Sequence, residues 1–279
     1  MHQILKVEIF QPFAQFRNPF TFFYAQTFPL PPKSQIIGML QNLTRDYYNS
    51  DYFSKIKVAV FGAHESIFWN YSQMIKGVPQ LGAERKGRRI VDNAIKLRGG
   101  NDAQPLYGSA KKSQRTPVYQ QEIYNLRLIL FFKCQDEELL KNIYDSFKIM
   151  QKVMHLGRSE DILFLRGEPE LIELEEKNLK DFKLDYGHYI LQSESSSISN
   201  IEQLPVYNIP LSSKFLLNGQ PVQSQRQVLN NKNDLKREVH FQTVYYIQGT
   251  SLVFTEKQKV SLCRKAVNET FYLTEQSWL

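Results

Sequence analysis

Apolar and polar positions alternate from the start of the chain. In Ile4–Phe10 the apolar Leu5, Val7 and Ile9 are separated by Lys6 and Glu8, the two-residue period of a half-buried strand. The Pro-rich stretch FPLPPKS follows. Ser34 is placed to cap a helix there, because Ile36, Ile37, Leu40, Leu43 and Tyr47 then recur at helical spacing. Lys57–Gly62 and Ser66–Tyr71 predict one long strand with an irregularity around Gly62–Glu65. Tyr124–Cys134 (YNLRLILFFKC) predicts a buried strand. Asp136 caps the next helix, whose apolar stripe is Leu139, Leu140, Ile143, Phe147, Met150 and Met154, and Gly157 suits the position just past its end. Strand-like Ile162–Leu165 and Glu170–Leu174 complete the series.

The predicted order is strand, helix, strand, strand, helix, strand. That is an α+β domain of the ferredoxin-like or RRM-like βαββαβ pattern, occupying residues 1–176, with its central hairpin expanded into a basic arm at about 76–118. Four antiparallel strands covered on one face by two helices leave the other face free for a ligand. The arm holds Gly77, Gly82, Gly87, Gly99, Gly100 and Gly108 and shows no sustained period. Beyond Glu176 the texture changes. Short apolar runs at Tyr186–Leu191, Leu211–Leu217, Val239–Gln248 and Ser251–Phe254 are separated by polar stretches, so 177–279 is expected to be a smaller β-rich unit.

Composition narrows the class without deciding it. The chain has 279 residues, 42% hydrophobic and 13% aromatic, which suits either a filled core or surfaces on which bases stack. Two cysteines, Cys134 and Cys263, lie far apart without CxxC spacing, which argues against a disulfide framework and a cysteine-based zinc site. MHQILKVEIF has no signal-peptide core, and no run approaches the ~20 apolar residues of a membrane span. A cytoplasmic protein without membrane partners, metal or cofactor is expected.

Charge placement changes the picture. Lys76–Val118 holds ten basic residues and three acids, a net +7 equal to that of the whole chain. Clustered Lys and Arg displace counterions from a phosphate backbone, so the segment points to a polyanion; a solvated basic loop is the bland alternative. Its glycines and proline do not make the amphipathic helix that a membrane surface would want.

Three segments point to one family: FQPFAQFRNPFTFFYAQTFPLPPKSQIIGML from Phe10, KKSQRTPVYQQEIYNLRLILFFK from Lys111, and HLGRSED from His155. In this order and spacing the chain resembles the CRISPR-associated Cas-five family, a RAMP-superfamily subunit of Cascade in type I systems. The resemblance is good over Leu5–Leu174 and loose beyond. It implies a modified RRM-like domain with a protruding hairpin thumb, which holds the 5′ handle of the crRNA and caps the filament of backbone subunits. The partners so implied are crRNA, the Cas-seven backbone subunit, the Cas-eight large subunit and, indirectly, target DNA. Chain length and texture suggest subtype I-B.

The candidate RNA-binding residues each have a plainer role beside the functional one. Arg17, between Phe16 and Asn18-Pro19, can reach a phosphate or close the first loop through an ion pair. Lys33 and Ser34 stand where a helix start offers free N–H groups to a phosphate, or where Ser34 simply caps. His155, Gly157 and Arg158 form a turn in which Arg158 serves RNA or pairs with Glu160 or Asp161. In the arm, Arg85, Lys86, Arg88, Arg89, Arg98, Lys111, Lys112 and Arg115 favour RNA as a group.

Two other functions compete. Cutting members of the family, in subtype I-C, share a Tyr with an adjacent Lys-His pair, which supplies proton transfer for metal-free cleavage of precursor crRNA. Here His2, His64, His155, His188 and His240 all lack a preceding Lys, so no catalytic residue is assigned. A free-standing RRM-like regulator of cellular RNA fits the charge, but Tyr124–Cys134 lacks the aromatic RNP pattern. No GxxxxGK[ST], HExxH, GxSxG or GxGxxG signature occurs.

Overall fold

The structure is a computed structural model, which describes residues 3–21, 24–49, 51–75, 115–150, 152–192, 198–199, 201–230, 234–266 and 269–279. It is a mixed α/β protein with mostly antiparallel sheets and few helices. The chain forms two compact units, one of Met1–Asn18, Thr27–Ile67 and Glu122–Leu279, the other of Pro19–Gln26 and Phe68–Gln121.

The first unit is organised by strands whose two faces go to two different cores. In β1 (Ile4–Ala14), β5 (Ile56–Ala63) and β7 (Arg115–Cys134), Leu5, Val7, Val58, Val60, Leu128, Leu130 and Phe132 enter one core. The alternating Ile4, Ala59, Phe61, Ile129 and Phe131 enter the other. The unbroken apolar run LILFF at Leu128–Phe132 is therefore a strand buried on both sides, where period-two polarity has no solvent to face.

The first core lies under α1 (Lys33–Thr44) and α3 (Glu137–Lys148), with α2 (Asp51–Lys55) between α1 and β5. Asp136 caps α3 as expected, its Oδ1 accepting the Leu139 N–H at 3.1 Å. Ser34 does not cap α1. Pro32, in extended conformation, is the cap, and its carbonyl accepts from the N–H groups of Gln35 and Ile36. The prolines hold the chain straight to that point, and Ser34 falls inside the first turn. Two helices also end sooner than the apolar stripes suggest. Arg45, at φ 62°, closes α1 before Tyr47, and α3 stops at Lys148, so Met150, Met154 and Gly157 lie beyond it.

Around these strands the sheet runs in the order β13-β12-β14-β11-β5-β7-β1-β8, where β8 is Phe164–Leu165, β11 Gly187–Leu191, β12 Val206–Leu217, β13 Gln220–Pro221 and β14 Leu235–Ile247. β9 (Glu170–Ile172) also pairs with β1. The C-terminal strands thus continue the sheet, β11 pairing with β5 at His188↔Phe61. A boundary drawn at residue 176 falls within β10 (Glu175–Leu184).

The face turned from the helices is not free for a ligand, contrary to the sequence expectation. A second sheet of β10, β15 (Thr250–Ala266) and β16 (Glu269–Leu273) covers it, with Phe182, Phe254, Val260, Leu262 and Phe271 in its core. Phe271 sits 5.4 Å from Phe61 and 6.0 Å from Phe131, centroid to centroid. The sequence concealed this layer because the outer faces of β10 and β15 are Lys- and Glu-rich, leaving no long apolar run. Cys134 and Cys263 are buried free thiols. Among the described residues no helix is long and apolar enough to cross a membrane.

The second unit is small. β3 (Tyr24–Ala25) pairs in parallel with β7 at Tyr24↔Tyr119 and Ala25↔Gln120, and β6 (Ser66–Ile75) also pairs with β7. β6 leads into the basic segment and β7 leaves it.

Candidate nucleic-acid interface

The turn at Leu156–Asp161 is a latch built on one buried carboxylate. Asp161 is 1% exposed. Its Oδ2 accepts from the backbone N–H groups of Gln15 at 3.0 Å and Arg158 at 2.7 Å. Its Oδ1 accepts from Arg158 Nη2 at 2.8 Å and Nε at 3.1 Å. The third arm of that guanidinium, Nη1, donates to Glu122 at 2.7 Å. Burial alone would lower the pKa of Arg158, but the hydrogen bonds and charges of Asp161 and Glu122 outweigh it and raise the pKa above its ordinary value. Gln11 Nε2 joins the turn by donating to the carbonyls of Leu156 and Asp161 at 2.9 and 3.0 Å. Gly157 is required where it stands. Its φ is +113°, and a Cβ there would come within 2.6 Å of Asp161 Oδ2 and 2.8 Å of the Gln15 carbonyl oxygen.

Arg158 thus makes the ion pairs expected with Asp161 and, at 3.5 Å, with Glu160, and adds Glu122 as a partner the sequence did not announce. His155 is half-buried in the same turn and bridges Ile162. Gln15 docks on this turn, and Arg17 follows two residues later in β2 (Phe16–Arg17), which pairs with β4 (Thr27–Phe28). The Arg17 side chain is exposed, and among the described residues no carboxylate pairs with it.

Lys33 and Ser34 are placed differently. Lys33 is buried, with no ion-pair partner among the described residues. Burial, with Lys57 nearby, lowers its pKa to about 8. Ser34 is half-buried in the first turn of α1. Of the arm residues, Arg85, Lys86, Arg88, Arg89, Arg98, Lys111 and Lys112 lie outside the described residues, while Arg115 opens β7.

At the described part of the second unit stands a group of rings. Tyr24 stacks on Tyr119 at 5.6 Å and 23°, meets Trp69 edge-on at 6.1 Å, and Tyr71 reaches Tyr119 at 5.5 Å. All four are exposed, by 60% for Tyr24, 47% for Trp69, 53% for Tyr71 and 42% for Tyr119. A faint signal was present in the sequence, since Trp69 and Tyr71 are two apart and so share a strand face.

The family described as CRISPR-associated protein (Cas_Cas5) matches residues 4–228, four fifths of the chain and all the elements from β1 to β13. The chain belongs to this family. No curated protein sequence matches it. Solved structures similar to this Cas_Cas5 protein include one titled "CRISPR RNA-guided surveillance complex", at TM-score 0.47 and 12% identity, covering 91% of this chain and 92% of that one. A second, "Crystal structure of Cas protein", has TM-score 0.42 and 12% identity, covering 90% and 95%. A third, "Cryo-EM structure of the Type III-B Cmr-beta bound to cognate target RNA and AMPPnP, state 1", has TM-score 0.39 and 13% identity, covering 89% and 86%.

The histidines of this Cas_Cas5 chain bear on whether it cuts RNA. His188 is fully buried, stacked on Phe61 at 4.1 Å, with Nδ1 2.7 Å from the Val60 carbonyl oxygen and Nε2 without a partner. Burial lowers its pKa to about 4, so it is neutral at pH 7 and Nδ1 is the donor. His64 is also lowered by burial. His240 is exposed on β14, and His2 lies outside the described residues. Among the described residues no three His, Cys, Asp or Glu side chains are grouped to hold a metal ion.

Proposed function

We propose that this protein binds and caps the 5′ handle of crRNA in a type I CRISPR interference complex in the cytoplasm, without cutting RNA. One observation carries the reading. The unit of residues 19–26 and 68–121 holds the whole excess positive charge of the chain, while the sheet face that an RRM would offer to RNA is covered by β10, β15 and β16. RNA binding then falls to the arm, through Arg85, Lys86, Arg88, Arg89, Arg98, Lys111, Lys112 and Arg115, with exposed Arg17 beside the latched turn. Gly157 and Arg158 act by holding that turn. The strand order β5-β7-β1-β8, with α1 and α3 in the connections, supports a ferredoxin-like reading of the inner part of the sheet. Family membership supports backbone (Cas-seven) and large (Cas-eight) subunits as partners.

The non-catalytic reading is supported by the histidine environments: His188 is sealed in the core, and His155 shares its turn with Arg158, whose guanidinium is already paired with Glu122, Glu160 and Asp161. No couple of acid and base there faces one phosphodiester. The test is expression of tagged protein with its whole operon. Co-purification of crRNA with the backbone and large subunits is expected; an RNA-free monomer sinks the proposal. Incubating the pure protein with labelled repeat RNA, in EDTA and again in magnesium, should give binding without a discrete product. A single cut abolished by His155→Ala would make it an endoribonuclease.

A further inference from the structure

We infer that Tyr24, Trp69, Tyr71 and Tyr119 form a stacking platform for unpaired RNA bases, set in the unit that carries the basic arm. The proposal rests on the RNA-binding reading above and adds a base-stacking surface to it. Four large rings packed together, each 42–60% exposed, are unusual on a strand surface, where burial would normally recover their apolar area. The core rings Phe61, Phe131 and Phe271 are by contrast buried, and the exposed neighbours Phe13 and Tyr124 form, among the described residues, a pair rather than a group of four. The platform is also preorganised. Tyr24 and Tyr119 are held opposite each other by the β3–β7 ladder, so little side-chain freedom remains to be lost when a base lands on them.

The occupant follows from charge. The unit is net +7, and Trp69, Tyr71 and Tyr119 lie on β6 and β7, the strands that enter and leave its basic segment. Aromatic faces beside clustered Lys and Arg fit a single-stranded nucleic acid, whose phosphates meet the cations while its bases stack on rings. A purely protein partner would need no such excess of one sign. Stacking tolerates any base, so the platform adds affinity without sequence readout.

The experiment uses the full chain and two 5′-labelled probes of equal charge, an oligoadenylate of about twelve nucleotides and its fully abasic counterpart. Wild-type protein is expected to bind the oligoadenylate at least about fivefold more tightly, the lower end for one stacked base. Tyr24→Ala with Trp69→Ala should erase that preference while leaving the salt dependence of binding unchanged, and Trp69→Phe should retain it. A second readout needs no variant. Trp69 is half exposed and Trp278 is buried, so stacking should quench the tryptophan emission with oligoadenylate and not with the abasic probe. Equal, salt-sensitive binding of both probes, with no selective quenching, overturns the platform and leaves RNA binding standing, with the rings assigned to a protein neighbour. Failure to bind either probe removes the RNA-binding reading and the platform with it.

Discussion

Asp161→Ala tests whether the HLGRSED turn is a structural latch. The substitution removes a carboxylate that is 1% exposed and accepts from two backbone N–H groups and two guanidinium nitrogens. Breaking a buried ion pair by deleting one partner costs about 3–5 kcal/mol, because the other charge stays buried. Two features place this case at the low end. Arg158 keeps Glu122 at 2.7 Å, and its side chain is 20% exposed, so water can reach part of it. The expected loss is therefore about 3 kcal/mol. At roughly 2–4 °C per kcal/mol for a chain of this class, the melting midpoint should fall by about 6–12 °C. Urea unfolding followed by circular dichroism measures the loss directly. Arg158→Ala and the double variant complete a cycle, whose coupling energy should be at least ~1 kcal/mol. A single-variant loss under ~1 kcal/mol, or strictly additive single variants, would refute the latch.

Other outcomes follow from the same structure. Gly157→Ala should destabilise by about 1–3 kcal/mol through its φ of +113° and the approach of the new Cβ to Asp161 and Gln15; an unchanged urea midpoint would contradict that geometry. For His188 the folded pKa is about 4, below the ordinary 6.5. The unfolded chain therefore binds more protons between those values, and the contribution, about 3 kcal/mol, is complete above pH 6.5 and lost as pH falls towards 4. His64 titrates in the same sense. In His188→Phe the acid-induced fall over that window should shrink by the same amount, and a slope identical to wild type would count against it. Replacing Arg85, Lys86, Arg88 and Arg89 with Ala should lower the log–log salt slope of RNA binding by ~0.7 for each phosphate left without a cation; an unchanged slope would place the RNA elsewhere. Phe271→Ala, which opens a cavity beside Phe61 and Phe131, should cost about 3–5 kcal/mol by urea titration, and a loss near zero would mean that the second sheet does not seal that face.

Much of the first unit was readable in the sequence, because its signals are local. Period-two apolar residues gave β1, the doubly buried run Leu128–Phe132 gave β7, and Asp136 before LLKNI gave the capped start of α3. The excess charge is a linear property too, and so are the three segments that mark the family. Helix ends were less legible, since Pro32 and Arg45 end α1 by backbone conformation that composition does not announce.

Tertiary structure alone decided three things, each because the partners are far apart in the chain. Arg158 gained a carboxylate partner that no local window shows, because folding brings Glu122, 36 residues upstream in β7, within 2.7 Å. The open face expected of a four-stranded sheet was closed by β10, β15 and β16, whose outward Lys and Glu residues hid their inward Phe182, Val260 and Phe271 from any window of sequence. Tyr24 and Tyr119 became one stacked pair only through a parallel ladder between residues 95 positions apart. Periodicity and charge act over neighbours and can be read along a line, whereas burial and pairing depend on which distant segments the fold sets side by side.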